Sequence, residues 1–269
     1  MTNIICPVCS NVLTKQDRCY KCENRHSFDE AKEGYVNLLT GSKSGALTGD
    51  SKDMAKSRRD FLSKGYFSPL ADEIIRIIGE KSKQNPFICD ICCGEGWYSD
   101  YIKSRTDCTM TGFDISREMV KLAAKRKNGV SYFVGNLAKI PIKSESVDIA
   151  FHLFAPFHEK EFRRILKNDG IIITAVAGEN HLFEMKEVLY DTPYKNDEKP
   201  PETENLTIKE KRKVTAKIHL ESKEDIDALF RMTPYYYHTS EADKKKLAEF
   251  QKLDVTIDFA IFIYEKTEV

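Results

Sequence analysis

The sequence predicts an α/β protein: a doubly wound, mostly parallel sheet with an antiparallel last strand, preceded by a small N-terminal metal-binding module. Three observations carry that expectation. A short apolar run, residues 87–91, passes through Asp90 into a glycine turn, Cys92-Cys93-Gly94-Glu95-Gly96, and then into a helical pattern. This is how a buried parallel strand feeds the first helix of such a sheet. A second apolar run, residues 109–113, delivers Asp114, a carboxylate placed to accept hydrogen bonds from both hydroxyls of a ribose. Finally, Cys6-Pro-Val-Cys9, Cys19-Tyr-Lys-Cys22 and His26 gather five potential metal ligands near the N-terminus.

Composition sets the bounds. The 269 residues leave room for one α/β domain of ordinary size and a small module. Hydrophobic content of 41% is that of a soluble protein, and no apolar run approaches the ~20 residues of a membrane span. The N-terminus lacks a charged-then-apolar leader, so the eight cysteines suggest a cytoplasmic protein that uses thiols for metal rather than for disulfides. Formal net charge is zero. Nucleic-acid binders are more often basic overall, so any such contact must come from local patches.

The cysteine pairs describe a structural zinc site. Two ligand sets fit: Cys6, Cys9, Cys19 and Cys22, or Cys6, Cys9, Cys22 and His26. By spacing alone the four-cysteine set is the simpler. So small a module has little core, and the metal would supply most of its folding energy. Four protein ligands leave no open position for chemistry, so the zinc is structural.

In the loop after the first long strand, Gly94 and Gly96 let the backbone approach a ligand, and the helix from about Trp97 offers free N–H groups. A dinucleotide site needs G-x-G-x-x-G, yet only one of those places carries glycine here. The stretch Asp90-Ile-Cys-Cys-Gly-Glu-Gly96 instead resembles the D-x-G-C-G-x-G loop of S-adenosylmethionine-dependent methyltransferases, with Cys92 in place of the first glycine. That resemblance implies a Rossmann-like methyltransferase sheet and S-adenosyl-L-methionine held by Asp90, Cys93, Gly94, Glu95, Gly96 and Asp114.

A more specific resemblance runs along nearly the whole chain. The motifs C-P-x-C, C-x-x-x-H-x-F-D-x-A-K-E-G-Y-x-N-L-L over residues 22–39, Gly49-Asp-Ser51, Arg58-Arg-Asp-Phe-Leu62, Phe154-Ala-Pro156, His181-Leu182 and Met232-Thr-Pro234 are similar to those of the bacterial 23S ribosomal RNA (guanine-N1) methyltransferases. The resemblance implies methylation of a guanosine in a 23S ribosomal RNA hairpin, a zinc-ribbon-like RNA-recognition module and a homodimer. It resolves the zinc ligands toward Cys6, Cys9, Cys22 and His26, one ion, with Cys19 an extra thiol. It also implies cofactor contacts from Phe67, where a close relative would have tyrosine, and from Asn136, Leu137, His181 and Leu182. The domains expected are a zinc module over residues 1–39, a linker and helix over 40–69, and the catalytic domain over 70–269.

The remaining elements follow in order. Residues 40–53 read as a mobile connection, with Ser51 capping a helix to about Ser63 that carries Arg58 and Arg59. These arginines are candidates for RNA phosphates or for an ordinary solvated helix face. Residues 65–69 open a helix over 70–78 whose Ile74, Ile75, Ile77 and Ile78 form a core face. A helix over 117–127 and a strand over 130–134 lead to Asn136, whose side-chain carbonyl is a candidate acceptor for an adenine amino group. A fourth strand (147–151), a helix (159–166), a turn (168–170) and a fifth strand (171–176) follow. Residues 196–204 read as a mobile polar loop, and 213–220 and 255–264 as the last, antiparallel strands. Between them lie a helix over 223–230 and Tyr235-Tyr-Tyr237, which either pack the sheet's end or stack on bases.

Methyl transfer to guanine N1 needs its proton removed. His152, His158 and Glu159 are nearest in sequence, none distinguished as a base, and positioning of an already activated methyl is an alternative. Phe154 or Phe157 could hold the face of a flipped guanine. Two other classes fit the sequence: a methyltransferase of small molecules with zinc for stability alone, and a non-catalytic RNA-binding protein that lost cofactor through Cys92 and Asn136.

Overall fold

A computed structural model describes residues 3–40, 52–82 and 84–267. The motif Gly49-Asp-Ser51 and the helix cap expected of Ser51 lie outside the described residues.

The N-terminal module is a three-stranded antiparallel sheet of β1 (Thr14–Gln16), β2 (Cys19–Lys21) and β3 (Ser27–Asp29). Beyond it the chain enters β4 (Tyr35–Asn37), and β4 pairs in parallel with a strand from much later in the chain, β7 (Ser131–Val134). Helices α1 (Lys52–Leu62) and α2 (Ser68–Lys81) precede the alternating part: β5 (Phe87–Ile91), α3 (Trp97–Lys103), β6 (Thr109–Asp114), α4 (Arg117–Ala124), β7, β8 (Val147–Leu153), α5 (Glu159–Ile165) and β9 (Leu166–Ala177). Then come α6 (Phe183–Leu189), β10 (Leu206–Leu220), α7 (Lys223–Arg231), a 3-10 turn over Pro234–Tyr237, α8 (Glu241–Ala248) and β11 (Leu253–Lys266). The main sheet has eight strands in the order β10-β11-β9-β8-β5-β6-β7-β4. It reverses direction on either side of β5, so the β5 and β8 exits lie at the switch point where open α/β sheets bind ligands.

The strands are apolar on both faces because both are covered. Ile88, Ile149, Phe151 and Ile173 face Leu70, Ile74 and Ile77 of α2 and Met185 and Leu189 of α6. Their neighbours Cys89, Ala150 and Ile172 point the other way, onto Phe162 and Ile165 of α5 and onto Ile4, Leu13 and Tyr20 of the N-terminal module. The module therefore acts as part of a covering layer, with Tyr20 set edge-on to Phe133 at 5.7 Å. It is also joined by hydrogen bonds: Ile5 N–H to the Pro141 carbonyl (3.0 Å) and Lys143 N–H to the Asn3 carbonyl (2.8 Å). The Lys139 ammonium donates to the Pro7 carbonyl at 2.6 Å. β4 belongs to the large sheet although residues 1–39 read as a separate module.

Other differences from the sequence reading have local causes. Residues 168–170, expected as a turn, fall within β9 but bulge from it: Val147 pairs with Leu166 and Ile149 with Ile171, leaving 167–170 without partners in β8. α4 ends at Ala124, short of Lys127, where the backbone turns left-handed (φ 51°). β10 and β11 are antiparallel to each other, but only β11 opposes the rest, being antiparallel to β9 as well. The polar loop expected to be mobile is pinned: Asn196 Nδ2 donates to the Gly178 and His181 carbonyls (both 3.0 Å). Tyr264 Oη donates to the Pro201 carbonyl (3.0 Å) and Glu159 accepts the Glu204 N–H (3.0 Å). Tyr235 and Tyr236 pack on Phe230 at 6.1 and 5.1 Å, which takes up their faces, while Tyr237 is exposed. No described helix is long and apolar enough to cross a membrane.

At the end of β9 the Gly178 N–H donates to the Asp258 carbonyl (2.7 Å), and a Cβ at position 178 would sit 2.6 Å from Asp258 Cγ. Asp258 is fully buried and cannot yield, because it accepts the Thr215 hydroxyl (2.7 Å) and the Asn180 N–H (3.0 Å). Gly178→Ala is accordingly expected to destabilise the protein by about 2 kcal/mol, as overpacked cores do, read as a lower urea midpoint with an unchanged slope.

Candidate active site

The β5–α3 loop reverses through left-handed backbone. Cys92, Gly94 and Gly96 have φ of 61°, 55° and 80°. The left-handed Cys92 explains why the resembling loops carry glycine there: a side chain in that conformation costs about 1–2 kcal/mol. Its thiol packs against the core on the module's side of the sheet, and burial, aided by Asp114 and Asp90, pushes it up to about 12. It is a neutral packing group. At Gly96 the loop touches α4 and β7: a Cβ would lie 2.7 Å from Ala123 Cβ and 2.9 Å from Tyr132 Oη.

Asp114, at the end of β6, ties the loop to the next strand. Its two oxygens accept the Gly94 N–H at 3.0 Å and the Ser116 N–H at 2.8 Å, and Ser116 then caps α4. Asp90 is buried and accepts the Ser99 hydroxyl. Burial, reinforced by Asp114 and Glu95 and opposed by Ser99, raises its carboxyl to about 8. Glu95, also buried, is held by the Arg126 guanidinium and accepts the Trp97 N–H at 3.2 Å. Burial raises its pKa, against the pull of Arg126.

These residues enclose a cavity of about 270 Å³. Its walls are Asp90 with Cys92 to Glu95, the first turn of α3 (Trp97, Tyr98), the β6 exit (Asp114, Ile115, Ser116) with Met119, the β8 exit from Leu153 to Pro156, and Arg58 and Leu62 of α1. Thus Asp90, Cys93, Gly94, Glu95 and Asp114 converge on one space. Gly96 stands behind the wall and permits the close packing. Asn136 and Leu137 are outside these walls, and the Asn136 carbonyl oxygen accepts the Ala138 N–H at 2.9 Å. Phe67, His181 and Leu182 form a second layer: Phe154 leans on Phe259 (5.4 Å between rings), and Phe259 on Phe67 (5.2 Å) and His181 (4.7 Å). His181 Nδ1 accepts the Asp258 N–H (3.2 Å), and the buried Leu182 starts α6.

The candidates on the β8 exit separate clearly. Phe154 is on the cavity wall, 44% exposed, with a left-handed φ of 55°. An exposed aromatic held in strained backbone marks a position selected for what it touches. Phe157 instead packs on Phe162 (4.7 Å) and Tyr264 (5.6 Å). His152 points away from the cavity, its Nε2 donating to the Pro156 carbonyl at 2.9 Å, and burial lowers it to about 4. His158 caps α5 by accepting the Glu161 N–H (3.4 Å), and Glu159 holds the 204–205 backbone. Arg58, a candidate for RNA phosphates or for a solvated helix face, lines the cavity, while the exposed Arg59 lies 3.5 Å from Asp60. The sequence reading missed Tyr98, Met119 and Leu153. Tyr98 had a usable signal, being in the first turn of the helix after the glycine loop, where side chains flank a bound ligand.

In the N-terminal module the ligand atoms of Cys6, Cys9, Cys22 and His26 lie within 4.8 Å of one another. The His26 Nδ1 is 3.5 Å from Cys6 Sγ and 3.4 Å from Cys22 Sγ, and Cys9 and Cys22 sulfurs are 3.6 Å apart. Tetrahedral zinc with Zn–S near ~2.3 Å and Zn–N near ~2.0 Å requires edges of roughly 3.5–3.8 Å, so the set is compatible with one ion. The Cys19 thiol instead meets the Ser27 hydroxyl at 2.8 Å, outside the cluster. The four-cysteine set favoured by spacing alone is not assembled.

Comparison with known proteins agrees with both halves. Residues 4–43 match the zinc-ribbon family described as RlmA, N-terminal, and residues 88–170 match a family described as methyltransferase domain. The chain is 28% identical, over 96% of its length and 95% of the relative's, to a Bacillus subtilis protein provisionally named a 23S rRNA (guanine-N1)-methyltransferase. It is 30% identical, over 68% of its length and 66% of the relative's, to the 23S rRNA (guanine(748)-N1)-methyltransferase of Streptomyces fradiae. A solved structure provisionally described as a type II methyltransferase from Anaeromyxobacter dehalogenans shares the fold, with a TM-score of 0.50 at 14% identity over 72% of this chain and 95% of that one.

Two outcomes are expected. Cys19→Ser retains one zinc per chain by elemental analysis, whereas Cys22→Ser or His26→Ala loses it; zinc loss from Cys19→Ser would restore the four-cysteine set. The buried His152, lowered from 6.5 to about 4, stays neutral in the folded chain while the unfolded chain takes up a proton below about 6.5. Unfolded protons in excess mean that stability falls as pH falls from about 6.5 toward 4, by about 2 kcal/mol for this residue at pH 5. His152→Gln removes its share of that slope, leaving the comparable share of His181, which burial also lowers to about 4.

Proposed function

The chain belongs to the family of bacterial 23S rRNA (guanine-N1) methyltransferases, and on that premise we propose that it transfers a methyl group from S-adenosylmethionine to N1 of a guanosine in a 23S ribosomal RNA hairpin. One observation carries the reading: the cavity at the carboxyl ends of β5, β6 and β8 ends at an exposed, strained Phe154, in a chain that also assembles the Cys6, Cys9, Cys22 and His26 cluster. A protein acting on a free small molecule has no need of that cluster for recognition.

S-adenosylmethionine, when bound, supplies a methyl group already activated on a sulfonium. Asp114, held by Gly94 and Ser116, accepts hydrogen bonds from the ribose hydroxyls. The buried Asp90 carboxyl, on the cavity wall, offers a hydrogen-bond acceptor to the ammonium of the cofactor's tail. Phe154 receives the face of a guanine taken out of its stack, and its own ring is backed by Phe259. No histidine of the 152–158 segment reaches the cavity, and Glu159 is bound to backbone N–H groups. Catalysis therefore rests on positioning N1 in line with the methyl rather than on a side-chain base from that segment. The zinc module and the exposed Arg59 serve the RNA, and the homodimer implied by the family belongs to the same proposal.

The test is transfer of labelled methyl to undermethylated 23S RNA, followed by identification of the modified base. N1-methylguanosine confined to one hairpin is the expected product. Cofactor binding without transfer to any RNA would sink the substrate assignment and favour a small-molecule acceptor. Phe154→Ala is expected to lower kcat/KM by about tenfold or more, since base–aromatic stacking contributes about 1–3 kcal/mol, while cofactor affinity changes little.

A further inference from the structure

The cavity contains a polar group that the fold leaves unsatisfied. Among the described residues, four buried side-chain polar atoms lack a hydrogen-bond partner: Tyr98 Oη, His152 Nδ1, Arg163 Nε and Thr174 Oγ1. Of these, Tyr98 lines the cavity described above. A buried hydroxyl without a partner is costly, and such groups are rare enough in native folds to need a reason. The phenol is fixed rather than loose, with its ring edge-on to Trp97 at 4.9 Å and packed against the core. The acids beside it are already engaged, Asp90 by Ser99 and Glu95 by Arg126. Burial keeps the hydroxyl protonated, so it is a donor in search of an acceptor.

A second donor reaches the same wall. Arg58 comes from α1, an element distant from the loop in sequence, and lines the cavity with Tyr98. Its positive charge acts on the Tyr98 hydroxyl and on Glu95. A guanidinium and a buried phenol facing one space suit a ligand group with acceptors only and a negative charge, which describes a carboxylate. Of the cofactor's groups, the carboxylate is the one that carries a negative charge to match the guanidinium, and Asp114 already serves the ribose.

We propose that Arg58 and Tyr98 bind the α-carboxylate of the cofactor's amino-acid tail, so that α1 closes over S-adenosylmethionine by way of that ion pair. The proposal rests on the cofactor reading above and goes further in giving two residues of this chain a ligand atom. It assigns Arg58 to the cofactor rather than to RNA phosphates.

Calorimetry with S-adenosylmethionine and with decarboxylated S-adenosylmethionine, on the full chain and on Tyr98→Phe and Arg58→Met, tests it. The unaltered protein should prefer the carboxylated ligand. Tyr98→Phe should weaken S-adenosylmethionine about tenfold and Arg58→Met about thirtyfold, the range for hydrogen bonds to charged groups, with decarboxylated ligand nearly unaffected. Tyr98→Phe should also melt no lower than the unaltered protein without ligand, because it removes an unsatisfied group. Equal loss of both ligands in the variants, or no preference for the carboxylated ligand in the unaltered protein, overturns the assignment. Failure of the unaltered protein to bind either ligand overturns the cofactor reading itself and this assignment with it.

Discussion

The cavity depends on the bond between the Gly94 N–H and the Asp114 carboxylate, 3.0 Å long. It joins the exits of β5 and β6, adjacent parallel strands whose ends would otherwise be independent loops. The other Asp114 oxygen, on the Ser116 N–H at 2.8 Å, sets the start of α4. From α4, Ala123 meets Gly96, where no Cβ fits. Loop, strand end and helix thus fix one another, and a site built this way is organised before ligand arrives, which is the condition for positioning to be catalytic.

The N-terminal module is not an appendage carried on a tether. It covers part of one face of the sheet, adds β4 to its edge, and takes the Lys139 ammonium on the carbonyl of Pro7, between the metal ligands Cys6 and Cys9. Folding energy from the metal is therefore passed to the segment after β7. A zinc cluster that serves RNA recognition in this reading also serves the stability of the catalytic sheet.

On the opposite side the site is supported by rings. Phe154 rests on Phe259, and Phe259 on Phe67 and His181. His181 in turn receives the Asp258 N–H, and Asp258 closes on Gly178. Family resemblance points to Phe67, His181 and Leu182 as cofactor neighbours; in the structure Phe67 and His181 pack behind Phe154 through Phe259. The strained backbone of Phe154 is tolerated because this packing determines it from behind.

The sequence by itself determined what periodicity, glycine chemistry and short-range spacing can carry. The alternation of strands and helices, the loop from Asp90 to Gly96, Asp114 at its strand end and the two C-x-x-C pairs are all local; the structure brings Asp90, Cys93, Gly94, Glu95 and Asp114 to one cavity and Cys6, Cys9 and Cys22 to one cluster. Tertiary structure decided whatever depends on approach between distant segments. Spacing alone favours Cys19 over His26 as a ligand, and the pairing of β2 with β3, with Cys19 turned toward Ser27, decides for His26. Residues 168–170 carry a turn signal that survives as a bulge in β9, between the Leu166 and Ile171 pairs with β8. Arg58 reads equally as a grip for RNA phosphates or a solvated helix face until α1 is laid against the cavity, and nothing in the sequence shows that the Tyr98 hydroxyl is left without a partner. A side chain's type is written in the chain, but what it faces is set by packing energy summed over the whole sheet.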